Sequence, residues 1–160
     1  IYIMKYFLYI FFNIFSFLSL SAEIEVLGNS RVEYSEFTFS NNSKYIIINQ
    51  VGQWTDSIGN YGSSICKGLI KKDSDEIIIF LDVICESTDQ NNVVTWRQFD
   101  RVGSKIQRGV GVSTLIDTTS KHREELIGTK CNYAVNRTKD MVFSKAICKI
   151  SDDLFRKLTK

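Results

Sequence analysis

The chain has 160 residues and a formal net charge of +2, with 44% hydrophobic and 24% charged side chains. That length suits one domain with a core of its own, and the composition excludes a disordered or fibrous chain. The near-neutral balance also excludes a strongly basic nucleic-acid binder and provides no charged field to steer a partner.

Met4-Lys5 opens an apolar run from Tyr6 to Leu20 that only Asn13 and two serines interrupt. A short basic start, an apolar stretch and then small residues is the order of a secretory signal. Ser19-Leu20-Ser21 provides the small flank, so the expectation is a signal peptide over residues 1–22, cleaved after Ser21 or Ala22. The competing reading is a permanent anchor, for which this run is near the lower limit of a span. No cysteine follows the run, which argues against a lipoprotein anchor. The expected product is a single domain over residues 23–160, exported to a periplasm or secreted, with no stable membrane anchor.

The remaining chain reads as about eight strands rich in Ile, Val, Phe, Tyr and Thr: Val32–Phe39, Lys44–Val51, Tyr61–Lys71, Glu76–Glu86, Val93–Arg101, Ile106–Ile116, Leu126–Asn136 and Met141–Ile150. Asn41-Asn42, Lys72-Asp73-Ser74-Asp75, Asp89-Gln90-Asn91-Asn92 and Thr138-Lys139-Asp140 punctuate them as turns. Such short connections favour antiparallel hairpins. The last strand runs into Ser151-Asp152-Asp153-Leu154-Phe155-Arg156-Lys157-Leu158, a short helix with a serine cap and charges matched to its dipole. The expected fold is all-β: an antiparallel up-and-down barrel of about eight strands with a short C-terminal helix, a β-sandwich being the alternative. The barrel is preferred because no long crossover interrupts the run of hairpins.

Four cysteines in an exported chain suggest two disulfides. Cys66 and Cys85 lie symmetrically about the turn at Asp75-Glu76, and Cys131 and Cys148 about the turn at Lys139-Asp140. Each pair would face across its own hairpin, where opposed Cβ atoms come close enough to bond. Cys85 is expected to share an apolar face with Ile77, Ile79, Leu81 and Val83, Cys131 with Ile127, Tyr133 and Val135, and Cys148 with Val142, Ala146 and Ile150. Bridges between the two hairpins are the remaining connectivity. Without a CxxC pair and with one histidine, zinc-ligand spacing is absent, and no motif calls for a metal or other cofactor.

Two clusters could bind something. The loop Gly52–Gly62 gathers Trp54, Asp56, Asn60 and Tyr61 with three glycines, a composition that suits a binding mouth. It equally suits a bend with Trp54 plugging the barrel end. Within Trp96–Arg101, alternation places Trp96, Gln98 and Asp100 on one face and Arg97, Phe99 and Arg101 on the other. Trp96, Arg97 and Asp100 join the candidate ligand residues. The plainer reading is a core tryptophan beside solvated charges. His122 lies in a polar turn with no nucleophile marked near it, so no catalytic residue is assigned. Asn41-Asn42-Ser43 and Asn136-Arg137-Thr138 match the glycosylation sequon.

Residues Gly109–Lys121, leading into Leu126-Ile127-Gly128-Thr129-Lys130-Cys131-Asn132-Tyr133, resemble the turn signature of allene oxide cyclase and dirigent-like β-barrels. There a strand enters a Gly-Thr-Gly-Lys-type turn and the next strand is entered through glycine. Gly128, Thr119 and Lys121 match, while Thr118 and Ser120 stand where that family has glycine. The resemblance implies barrel architecture and carries no catalytic residue across. The whole chain also resembles small exported proteins of AT-rich bacteria, which bears on localisation alone. Three functions then compete. The first is binding of a small, partly apolar ligand at a Trp/Tyr-lined mouth. The second is an isomerase or cyclase on the same barrel. The third is a structural or interaction protein of the envelope with a filled core.

Overall fold

The computed structural model describes residues 21–159, so the apolar leader lies outside the described residues except for Ser21 and Ala22. Eight strands follow one another: β1 (Ser21–Thr38), β2 (Lys44–Asp56), β3 (Tyr61–Lys72), β4 (Ile78–Asp89), β5 (Val94–Asp100), β6 (Arg108–Thr118), β7 (Lys130–Thr138) and β8 (Met141–Ser151). They form a closed barrel in which every strand pairs with its sequence neighbours, and β1 closes the circle on β8. The expected up-and-down barrel is therefore the fold, and the sandwich is excluded.

β1 makes closure possible by serving two ladders. Ser21–Arg31 pairs with β8, and Val26–Thr38 pairs with β2. This staggered pairing gives the strand tilt that a closed barrel requires. The strand thus starts eleven residues before the expected Val32. Glu23 and Glu25 alternating with Ile24 and Val26 is already a strand pattern, with Ile24 buried.

Three hairpins share one turn device. Asp56, Asp73 and Asp89 each accept two backbone N–H groups through Oδ1, from the residues two and four positions on, at 2.8–3.1 Å. The residue three positions on takes the left-handed conformation: Gly59 (φ 93°), Glu76 (φ 64°) and Asn92 (φ 61°). The aspartate replaces hydrogen bonds that the turning backbone cannot make with itself.

One bulge corrects the sequence reading of β4. Pairing shifts from Lys71↔Phe80 to Lys72↔Ile78, so Ile79 is the extra residue. The shift reverses the side-chain parity: Ile78 is wholly buried and Ile79 is 56% exposed. Ile79 does not share the inner face with Leu81, Val83 and Cys85. Ile127 is likewise exposed, because it lies before β7 begins.

Both expected disulfides are present. Cys66 bonds Cys85 and Cys131 bonds Cys148, each pair directly opposite in its ladder. All four cysteines are buried. At one end of the barrel Val32, Ile46, Ile48, Ile70, Ile78 and Leu81 pack around the first bridge. At the other end Ile24 and Ile150 pack around the second. That second end is covered by the helix α1 (Asp152–Leu158), whose Leu154, Phe155 and Leu158 meet Leu126 of the 3₁₀ turn Lys121–Leu126. Ser151 caps α1 as expected, its Oγ accepting from Leu154 N at 3.3 Å.

Glycine admits one bulky side chain into the barrel. A Cβ on Gly111 would lie 2.4 Å from the Asp100 carbonyl oxygen and 2.7 Å from the Tyr133 ring, which lies across it. Gly111→Ala is expected to destabilise by about 1–3 kcal/mol, since a backbone oxygen cannot yield as a flexible side chain does. A urea midpoint unchanged from the parent protein would contradict this packing.

Candidate functional site

The strands' inward alternation lines a cavity of about 270 Å³ in the barrel lumen, partly open to solvent. One water needs only about 10–15 Å³ on this measure, and small-molecule sites start near 300 Å³. The space therefore suits a compact organic molecule. Ile48, Ile70, Leu81, Val83 and Phe99 give much of the wall an apolar character. Phe99 and Tyr133 meet edge to face, their ring centroids 5.2 Å apart.

Polar groups line one band of the wall. Ser64, Ser87 and Thr95 follow one another across β3, β4 and β5, and all three face the cavity. The adjacent inward row is Cys66, Cys85 and Arg97. On β1 and β2, Gln50 Nε2 donates to Ser30 Oγ at 2.6 Å.

Arg97 is the distinctive member. Its Nη1 lies 3.0 Å from Cys131 Sγ, so the guanidinium reaches from β5 to the second disulfide. By accessible surface the residue is only half-buried, yet burial lowers its pKa to about 10. The two observations agree once its position is considered: Arg97 lies deep in the barrel and lines the cavity. Arg101 and Arg137 also line the lumen. Buried Arg101 Nε and Nη1 and Arg137 Nη2 have no hydrogen-bond partner among the described residues. Burial likewise lowers the Arg101 pKa, the nearby Tyr133 acting against it. None of these three arginines enters an ion pair among the described residues.

The carboxylates at the wall are already engaged. Asp56 holds its own turn, and its Oδ2 accepts from Asn60 Nδ2 at 2.8 Å. Asp89 is 2.7 Å from Arg123 Nη2, which ties the 3₁₀ turn to the β4–β5 hairpin. Among the described residues no group of three His, Cys, Asp or Glu side chains could hold a metal ion.

Of the seven candidate ligand residues, Trp54, Asp56, Asn60 and Arg97 line the cavity. Trp54 anchors its ring by donating from Nε1 to the Ser63 carbonyl at 3.2 Å. Tyr61, Trp96 and Asp100 do not join them. Tyr61 is 60% exposed, and Trp96 lies on the outer wall, where its Nε1 donates to Glu86 Oε2 at 3.0 Å. Asp100 is exposed on the face opposite Arg97. A Trp/Tyr mouth is therefore not assembled. Sequence reasoning left Arg101, Arg137 and the Ser64–Ser87–Thr95 row unassigned. The signal that could have found Arg101 is its spacing of four from Arg97 on one strand face.

Fold and cavity together define a closed up-and-down β-barrel with a cavity in its lumen. Compared with protein-family models, characterised proteins and solved structures, the chain matches none.

Proposed function

We propose that this chain is an exported binding protein that encloses a small, partly apolar molecule in its barrel lumen. The observation that carries the reading is the lumenal cavity, apolar over most of its wall and polar along one band. Export is supported by two disulfides, which persist in oxidising compartments. Among the described residues no helix is long and apolar enough to cross a membrane. An acid–base enzyme built on Arg97 and Asp100 is disfavoured, since the two side chains take opposite faces of β5. A filled core is disfavoured by the cavity itself.

The test uses a neutral apolar dye, N-phenyl-1-naphthylamine, with the mature protein. Saturable fluorescence enhancement at one dye per chain is expected. It should be abolished by Ser87→Phe, which places a ring in the cavity while the outer surface stays unaltered. Enhancement that survives this substitution would place the dye outside the lumen and refute the reading.

A further inference from the structure

We infer that the lumen is selective for an amphipathic monocarboxylate, its carboxylate held by Arg97 and its apolar body lying against the Ile70–Leu81–Val83 wall; this rests on the lumenal binding reading above.

Arg97, Arg101 and Arg137 contribute positive charge without carboxylate partners among the described residues. Arg123 and Asp89 neutralise each other, and Asp56, whose carboxylate accepts from neutral groups of its own turn, offsets only one of the three arginines. The lumen is therefore cationic although the chain as a whole is near neutral. Enclosing an unpaired guanidinium is unfavourable, because it gives up its water without an anion in return. Folding stability alone would select an apolar side chain at position 97, as at its neighbour Phe99 on the same inward face. The burial-lowered pKa of Arg97 is about 10, so the side chain remains cationic at neutral pH.

Donor geometry narrows the anion. A guanidinium offers a planar fork that matches the two oxygens of a carboxylate. Among the described residues the only hydrogen-bond partner of that fork is a disulfide sulfur, a weak acceptor. Arg97 follows Thr95 by two residues on one face, so the hydroxyl row of Ser64, Ser87 and Thr95 lies beside it. Those hydroxyls can solvate the outer edge of a bound carboxylate. A bulky, fully hydrated dianion fits poorly, since most of the surrounding wall is apolar and cannot replace its water. The cavity volume limits the body to a compact hydrocarbon or bicyclic ring.

The probes are 2-naphthoate, the neutral 2-naphthylmethanol and 2-naphthalenesulfonate, each titrated calorimetrically into the mature protein. For the parent protein 2-naphthoate should bind about tenfold or more tighter than the alcohol, and tighter than the sulfonate. Arg97→Met should remove that preference, weakening 2-naphthoate about tenfold while leaving the alcohol nearly unaffected. Arg97→Lys should fall between, because it keeps the charge and loses the fork. Equal binding of acid and alcohol by the parent protein would overturn the carboxylate assignment and leave lumenal binding standing. Preference for the sulfonate would overturn the carboxylate in favour of a tetrahedral anion. If no probe binds while N-phenyl-1-naphthylamine does, the anion site alone is refuted. If neither class binds, both readings fall together. The parent-protein comparison needs no substitution, so it stands whatever the variants do.

Discussion

Replacing Cys131 and Cys148 together by alanine will lower the stability of the oxidised protein by about 3 kcal/mol in the chain-entropy account of cross-links. The bridge spans 17 residues of sequence, and the Cys66–Cys85 bridge spans 19, so each removes a similar share of the unfolded chain's freedom. Removing both should cost about 6 kcal/mol, comparable to the whole net stability of many domains of this size. The fourfold variant is therefore expected to be largely unfolded at 37 °C. Alanine is the better replacement, since serine would bury hydroxyls where Cys131 is 1% exposed. Urea midpoints of the two paired variants, measured oxidised and reduced, check this. A loss below about 1 kcal/mol for either pair would mean that the hairpin ladders alone restrain the chain. The two pairs should not act identically towards ligand. Cys131 touches Arg97, so its removal will couple to anion binding, a departure from additivity expected of residues in contact.

Asp89→Ala is expected to produce the largest loss of any single carboxylate substitution, about 2–4 kcal/mol. Its side chain is fully buried, its Oδ1 accepts from Asn91 N and Val93 N, and its Oδ2 meets Arg123. Truncation would leave two turn N–H groups without an acceptor and Arg123 without a counter-ion. Asp73→Ala removes the matching carboxylate acceptor of two turn N–H groups, those of Asp75 and Ile77, at a half-buried turn without an arginine partner among the described residues, so about 1 kcal/mol is expected. The difference between the two variants isolates the buried ion pair. The Asp89 carboxyl also sets a pH dependence. Burial acts to raise its pKa, yet the two N–H groups and Arg123 together hold it below the ordinary value. A depressed folded pKa means the carboxylate stabilises the fold above the unfolded value, near 3.9, and that contribution fades as pH falls through the folded value. Thermal melts of the parent protein should therefore weaken below about pH 4, and Asp89→Asn should flatten that limb. Glu76 acts in the same direction: hydrogen bonds from Lys72 and Lys44 depress its pKa, and its exposure keeps the effect small.

Much of this molecule is legible along the chain because its physics is local. Strand neighbours in sequence are neighbours in the barrel, so turn chemistry and cysteine spacing suffice to place both bridges. The aspartates at 56, 73 and 89 announce their hairpins, and Ser151 announces the helix. The candidate site was less legible. Asp56 and Asn60 line the cavity, but only the structure locates the N–H groups that engage Asp56 in its own turn. Trp96 read as inward because large aromatics favour cores, yet the ladder sets Arg97 opposite Cys85, and Cys85 faces inward.

By itself the sequence pointed to about eight strands, their order, the favoured disulfide pairing and the capped helix, because each depends on residues within one hairpin or one helical turn. Only the tertiary structure decided which face of each strand became the lumen, since a period of two defines two faces without naming the inner one. The bulge at Ile79, the double ladder of β1 and barrel closure made that choice together. They set three arginines around an apolar cavity, because closing the sheet forces every inward side chain to share one enclosed space.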